Sequence, residues 1–91
     1  MAMRLKFSLG RLLITRGALD VLTPEDIANA ICRHGQGDWG DLDPDDVAEN
    51  EASLEEGFRL LSAYKSASGE RFWVITEADR SVTTFLLPSE Y

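Results

Sequence analysis

Apolar positions along the chain change their period several times, and each change marks an element. Leu5 to Thr15 reads as one extended segment broken near Gly10: LKFSL alternates, and RLLIT is a short apolar run that stops at Arg16-Gly17. One short strand is expected there. GALDVL has room for a helical turn or two, after which Thr23-Pro24-Glu25-Asp26 carries every mark of a helix start: Thr as N-cap, Pro at the first helical position and acids in the first turn. Ile27, Ile31 and His34 then recur at i, i+4 and i+7 with Ala30 between them, an inward stripe that Gly35 ends.

Asp43-Pro44-Asp45-Asp46 repeats the same start, and Gly57 is placed to stop the second main helix. Steps of 100° put Val47 and Leu54 on one side of it. Asp45, Asp46, Glu49, Glu55 and Glu56 fall on the opposite arc, with Glu51 at the flank. FRLLSAYKSASGERFWVITEAD reads as a hairpin whose turn is Ser66 to Gly69, and a further strand runs from Val82 to Leu87 before Pro88. The pattern predicts a single α+β domain over residues 1–91: a small antiparallel sheet of three to four strands with two main helices packed on one face. Phe72 and Trp73 are neighbours in a strand and must point to opposite faces, so one of them sits on the face away from the helices.

Charge changes this picture at one place. From Asp38 to Glu56 there are nine carboxylates (Asp38, Asp41, Asp43, Asp45, Asp46, Glu49, Glu51, Glu55, Glu56) and neither Lys nor Arg. The net charge is −7, so the remaining residues sum to about +2. The acidity is local. Between Pro44 and Glu56 it amounts to one carboxylate per roughly 3.3 Å of helix, close to the one phosphate per 3.4 Å or so of a DNA strand. Such a helix is suited to a basic protein surface and repels nucleic acid itself. A solvated face that merely keeps a small protein soluble is the plainer reading.

Other chemistry is poorly supported. DLDPDD places Asp41, Asp43 and Asp45 at calcium-loop positions one, three and five, but Asp46 stands where the loop needs Gly and Ala52 where it needs Glu. His34 is the only histidine and Cys32 the only cysteine, too few for a tetrahedral metal site, so no metal and no cofactor are expected. His34 fits a helix C-terminus, where its cationic form meets the dipole favourably. HGQGDWG follows a helix instead of opening one, and reads as a tight loop pinned by Trp39. TEADR, Thr76 to Arg80, suggests a polar turn with Asp79 or Glu77 pairing with Arg80. The longest apolar run is only the four residues Phe72 to Ile75, so no segment spans a bilayer and the N-terminus lacks a signal peptide's apolar core; a cytoplasmic protein is expected.

HGQGDWGDLDPDDVAENEASLEEGFRLLSAY and GERFWVITEADRSVTTFLLPSEY resemble a family of small proteins carried by plasmids, integrative elements and phages. Its members are often labelled plasmid-related protein or type I restriction endonuclease subunit M. The resemblance covers nearly the whole chain. The restriction label does not fit: there is no Asn-Pro-Pro-aromatic or Asp-Pro-Pro-aromatic tetrapeptide, no Gly-rich nucleotide fingerprint and too little chain for a methyltransferase domain. The family implies no established reaction. It does imply a mobile-element setting in a bacterial host, where small acidic proteins that disarm host defence, anti-CRISPR proteins among them, are common.

Two functional expectations follow. In the first the chain is a non-enzymatic inhibitor of a nucleic-acid-targeting defence system, such as a CRISPR effector complex, and occupies a DNA-binding or PAM-reading surface. Asp38, Asp41, Asp43, Asp45, Asp46, Glu49, Glu55 and Glu56 would meet Lys and Arg, with Trp39 or Trp73 as an apolar anchor. In the second it is a maintenance or regulatory binding module, with a homodimer formed through the sheet edge, and the acidic helix only provides solubility.

Overall fold

A computed structural model describes residues 4–91; the first three positions, which belong to the segment read for a leader, lie outside it. The elements are β1 (Arg11–Ile14), α1 (Arg16–Val21), α2 (Pro24–Gly35), α3 (Pro44–Glu56), β2 (Leu60–Lys65), β3 (Arg71–Thr76) and β4 (Val82–Leu86), then a 3-10 turn at Pro88–Glu90. The fold is α+β. The strands lie in the order β1-β4-β3-β2, with β2-β3-β4 antiparallel and β1 parallel to β4. The sheet is therefore mixed, not wholly antiparallel. β1 and β4 are joined through nearly the whole chain, and so long a connection leaves β1 free to enter in the parallel sense.

The capping chemistry expected from sequence is realised. Thr23 and Asp26 form a reciprocal capping box at the start of α2, and Asp43 accepts the Asp46 amide at the start of α3. Gly57 closes α3 in the left-handed region at φ 78°. At the β2–β3 hairpin the left-handed residue is Gly69.

One face of the sheet carries Tyr64, Phe72, Val74 and Phe85, which pack with Ala18 and Leu22 of the α1 region and Ala30 of α2; Ile14, Ile27 and Ile31 close the periphery. Phe72 stacks on Phe85 with ring centroids 6.3 Å apart. Trp73 consequently points to the second face, where it is half-buried and meets the ring of Tyr91 edge-on at 5.4 Å.

α3 differs from its sequence expectation. Its buried residues are Asn50 and Ser53, whereas Val47 and Leu54 are only half-buried. The reason is its position beside the outer edge of β2. Asn50 donates from Nδ2 to the Leu61 carbonyl (2.7 Å) and accepts the Leu61 amide on Oδ1 (3.1 Å). Next to it, the Ala63 amide donates to Trp39 O and the Asp41 amide to Ala63 O. These bonds plug an edge that would otherwise expose unpaired main-chain groups. The loop can come this close because residue 40 is Gly, with φ 76°: a Cβ there would lie 2.0 Å from the Ala63 carbonyl oxygen.

A candidate acidic docking site

Docking α3 on the β2 edge distributes its carboxylates unevenly. Asp46, Glu49, Ser53 and Glu56 fall at i, i+3, i+7 and i+10, one helix face, and this face overlooks a groove on the second side of the sheet. The groove encloses about 840 Å³ and is floored by Leu61, Ala63 and Trp73. Asp41 extends the acidic rim, while Phe58, Arg59, Arg71 and Tyr91 border the groove elsewhere. The lining thus pairs an acidic wall with an apolar, aromatic floor. Trp73 and three acids of the helix, far apart in sequence, share it.

The remaining acids go elsewhere. Asp45 and Glu55 are exposed and do not line the groove. Glu51 accepts the indole N–H of Trp39 at 2.7 Å, which fastens the far side of α3 to the loop before it. Asp43 is occupied as the N-cap. Asp38 forms a two-point ion pair with Arg33 (2.8 and 3.2 Å) and accepts the Gly40 amide, and the guanidinium holds its carboxyl below the usual carboxylate range. Its charge is answered within the molecule. Trp39, expected as a surface anchor, is 3% exposed, stacked over Phe7 and edge-on to His34. Of the two indoles, Trp73 is the one that reaches the surface groove.

Among the described residues there are two ion pairs, Arg33–Asp38 and Arg59–Glu77, and neither involves α3. Asp45, Asp46, Glu49, Glu55 and Glu56 therefore present five exposed carboxylates with no cation of the described residues within pairing distance. Among those residues no cluster of three or more His, Cys, Asp or Glu is arranged to hold a metal ion, and no helix is long and apolar enough to cross a membrane.

The polar turn between β3 and β4 is wired otherwise than its sequence suggests. Glu77 pairs with Arg59 (3.4 Å), and Asp79 accepts the amide and hydroxyl of Ser81. Among the described residues Arg80 makes no ion pair. It adopts φ 61°, and its guanidinium donates to the carbonyls of Ser53 (3.1 Å), Phe58 (2.7 Å) and Glu77 (3.1 Å). α3 has no basic residue in its last turn, so Arg80 brings the missing positive charge to that end of the helix from across the fold.

His34 is not a cationic cap either. It is 0% exposed, with Nδ1 2.6 Å from Ser62 Oγ and Nε2 2.9 Å from Thr76 Oγ1. The direction of this chain is fixed at its far end. Thr83 must donate to the Leu9 carbonyl (2.7 Å), so Thr76 donates to Thr83 (2.7 Å), His34 donates from Nε2 to Thr76, and Ser62 donates to Nδ1. The imidazole is the neutral Nε2–H tautomer. Burial, with a smaller contribution from the nearby Arg80 charge, lowers its pKa from 6.5 to about 4. The Ser62–His34 pair has the distance of a nucleophile and its base, yet Ser62 too is 0% exposed.

A scan against protein-family models finds no match, and searches of the curated proteins and of the solved structures find no match either.

Proposed function

We propose that this chain is a non-enzymatic binding module that presents the acidic wall of α3 to a cationic protein surface, one that otherwise holds nucleic acid. Read with the mobile-element resemblance, the intended target is a nucleic-acid-targeting defence complex of the bacterial host, and the mode of action is occupation of its DNA-binding or PAM-reading surface. The observation that carries the reading is the set of five exposed α3 carboxylates that no cation among the described residues pairs. Like charges at i,i+4, such as Asp45 with Glu49 and Glu51 with Glu55, each cost a few tenths of a kcal/mol in an isolated helix. An ordinary surface helix offsets such repulsion with interspersed Lys or Arg, and α3 has neither. The groove beside the wall gives the charges an apolar complement: an arginine or lysine of the partner can lay its aliphatic stem across Trp73 while its head meets Asp46, Glu49 or Glu56.

The test is binding to a purified CRISPR effector complex over a salt series. Affinity should fall as salt rises, and reversal of Asp46, Glu49 and Glu56 to Lys should weaken it by about 100-fold, with a smaller loss on reversal of Asp45 and Glu55. Affinity indifferent to salt and to the triple reversal would remove the mechanism.

A further inference from the structure

The two edges of the sheet are treated oppositely. At β2 the outward main-chain groups of Leu61 and Ala63 are all taken, by Asn50, Trp39 and Asp41. At β1 nothing comparable exists among the described residues. The amides of Arg11 and Thr15 donate to Ser81 and Phe85 of the β4 region, and a parallel ladder uses alternate residues of each strand. The N–H and C=O of Leu12 and Ile14 therefore point away from the sheet. Leu12 and Leu13 are 45% and 44% exposed, and although the strand is four residues long and opens with the charged Arg11, it carries no Pro and no bulge that would block pairing.

We infer that β1 pairs antiparallel with β1 of a second copy of this chain, in the register that sets Leu13 opposite its own symmetry mate. This goes beyond the function proposed above and does not depend on it. In this register Leu12 faces Ile14 of the partner in a hydrogen-bonded pair, and by symmetry Ile14 faces the partner's Leu12. All outward groups of both residues are thereby satisfied in both chains. Centring the pair on Leu12 would instead set Ile14 against Gly10, whose amide already donates to Ser8 Oγ. Centring it on Ile14 would drive Leu12 against Arg16, the first residue of α1.

Charge supports the same register. Arg11 falls opposite Thr15 of the partner, and Thr15 Oγ1 donates to Glu90 Oε1 at 2.5 Å. Among the described residues Glu90 accepts neutral donors alone, the Thr15 hydroxyl and the Gly17 and Leu87 amides. Arg11 is exposed and, among the described residues, in no ion pair. Each Arg11 thus meets a carboxylate that no cation of the described residues answers, twice per dimer. The acidic helices do not oppose the association: they flank β2, at the far ends of an eight-stranded sheet. At about 4.8 Å per strand the two β2 edges lie roughly 34 Å apart, several Debye lengths at physiological salt. The contact area is small, so the dimer is a weak, concentration-dependent one.

Sedimentation equilibrium from micromolar to millimolar protein tests the inference. The average mass should rise from 10.1 kDa towards twice that value, and Leu13→Glu, which sets like charges face to face, should return it to the monomer without loss of the folded circular-dichroism spectrum. Arg11→Glu should weaken association at least tenfold. In a Cys32→Ser background, Leu13→Cys should oxidise to a disulfide-linked dimer, whereas Leu19→Cys, on exposed α1 surface, should not. A monomer at all concentrations, an association untouched by Leu13→Glu, or equal cross-linking at both positions would each overturn the inference.

Discussion

Acid should weaken this protein well before its carboxylates protonate, because of one imidazole. In the unfolded chain His34 takes up a proton near pH 6.5; in the native state it resists protonation down to about pH 4. Between those values the unfolded state binds more protons, so stability falls as the pH is lowered. The loss starts near 6.5 and is complete near 4. The difference of the two pKa values corresponds to about 3 kcal/mol at 1.36 kcal/mol per unit, a large part of the roughly 5–14 kcal/mol expected for a domain of this length. With a urea m-value of about 1–2 kcal/mol/M, the unfolding midpoint should drop by roughly 2 M over the window. Asp26, Asp38, Asp79 and Glu90 have lowered pKa values, each chiefly through hydrogen bonds it accepts. Their contributions persist above the unfolded values of 3.8 to 4.5 and disappear only in stronger acid. The interval from pH 6.5 to 5 therefore belongs to His34. His34→Gln supplies a donor and an acceptor but no titration, and its urea midpoint should stay level across that interval. Ring resonances of the wild-type His34 should likewise not titrate above pH 5. A level wild-type midpoint, an equal slope in His34→Gln, or a ring that titrates near pH 6.5 would refute the donor order deduced for the buried chain.

Arg80→Ala leaves the carbonyls of Ser53 and Phe58 without their charged donor and should cost about 2–4 kcal/mol in thermal or urea unfolding; Arg80→Lys, which lacks the fork that reaches several carbonyls at once, should recover only part of it. Asn50→Ala should cost about 1–3 kcal/mol and, by uncovering Leu61 on the β2 edge, should also promote aggregation visible as light scattering at high concentration. Reversal of Asp46, Glu49 and Glu56 to Lys, which should weaken the proposed docking about 100-fold, should leave the melting temperature nearly unchanged, because relief of like-charge repulsion offsets the lost favourable charge of Asp46 in the first helical turn. A large fall in melting temperature there would mean that those carboxylates serve the fold.

Local chemistry was legible from the chain. Thr23-Pro24 and Asp43-Pro44 announce their helices because capping is decided within four residues, and the hairpin turn at Gly69 is equally local. What sequence reading missed are pairings over long separations. A helical wheel brings Val47 and Leu54 together, but the side that α3 buries is chosen by the open edge of β2, which prefers an amide able to donate and accept. Asn50, a poor helix former in mid-helix, was a signal that this side was engaged. The role of His34 is set by Ser62 and Thr76, 28 and 42 residues away. Hydroxyl residues at inward positions of three strands, Ser62, Thr76 and Thr83, could have pointed to a buried polar partner. For the candidate site, the acids and Trp73 were visible separately. That some share a groove, and that Trp39 does not, follows only from how α3 sits on the sheet.

Because α3 rests on the sheet through an amide, a serine and a borrowed guanidinium, with no large apolar side chain fully withdrawn from water, its attachment resembles a latch more than a weld. Force applied through its carboxylates is carried by a few hydrogen bonds, while the apolar layer beneath α1 and α2 takes none of it. A captor that pulled this rod loose would unfasten the charged element and leave the rest of the molecule standing.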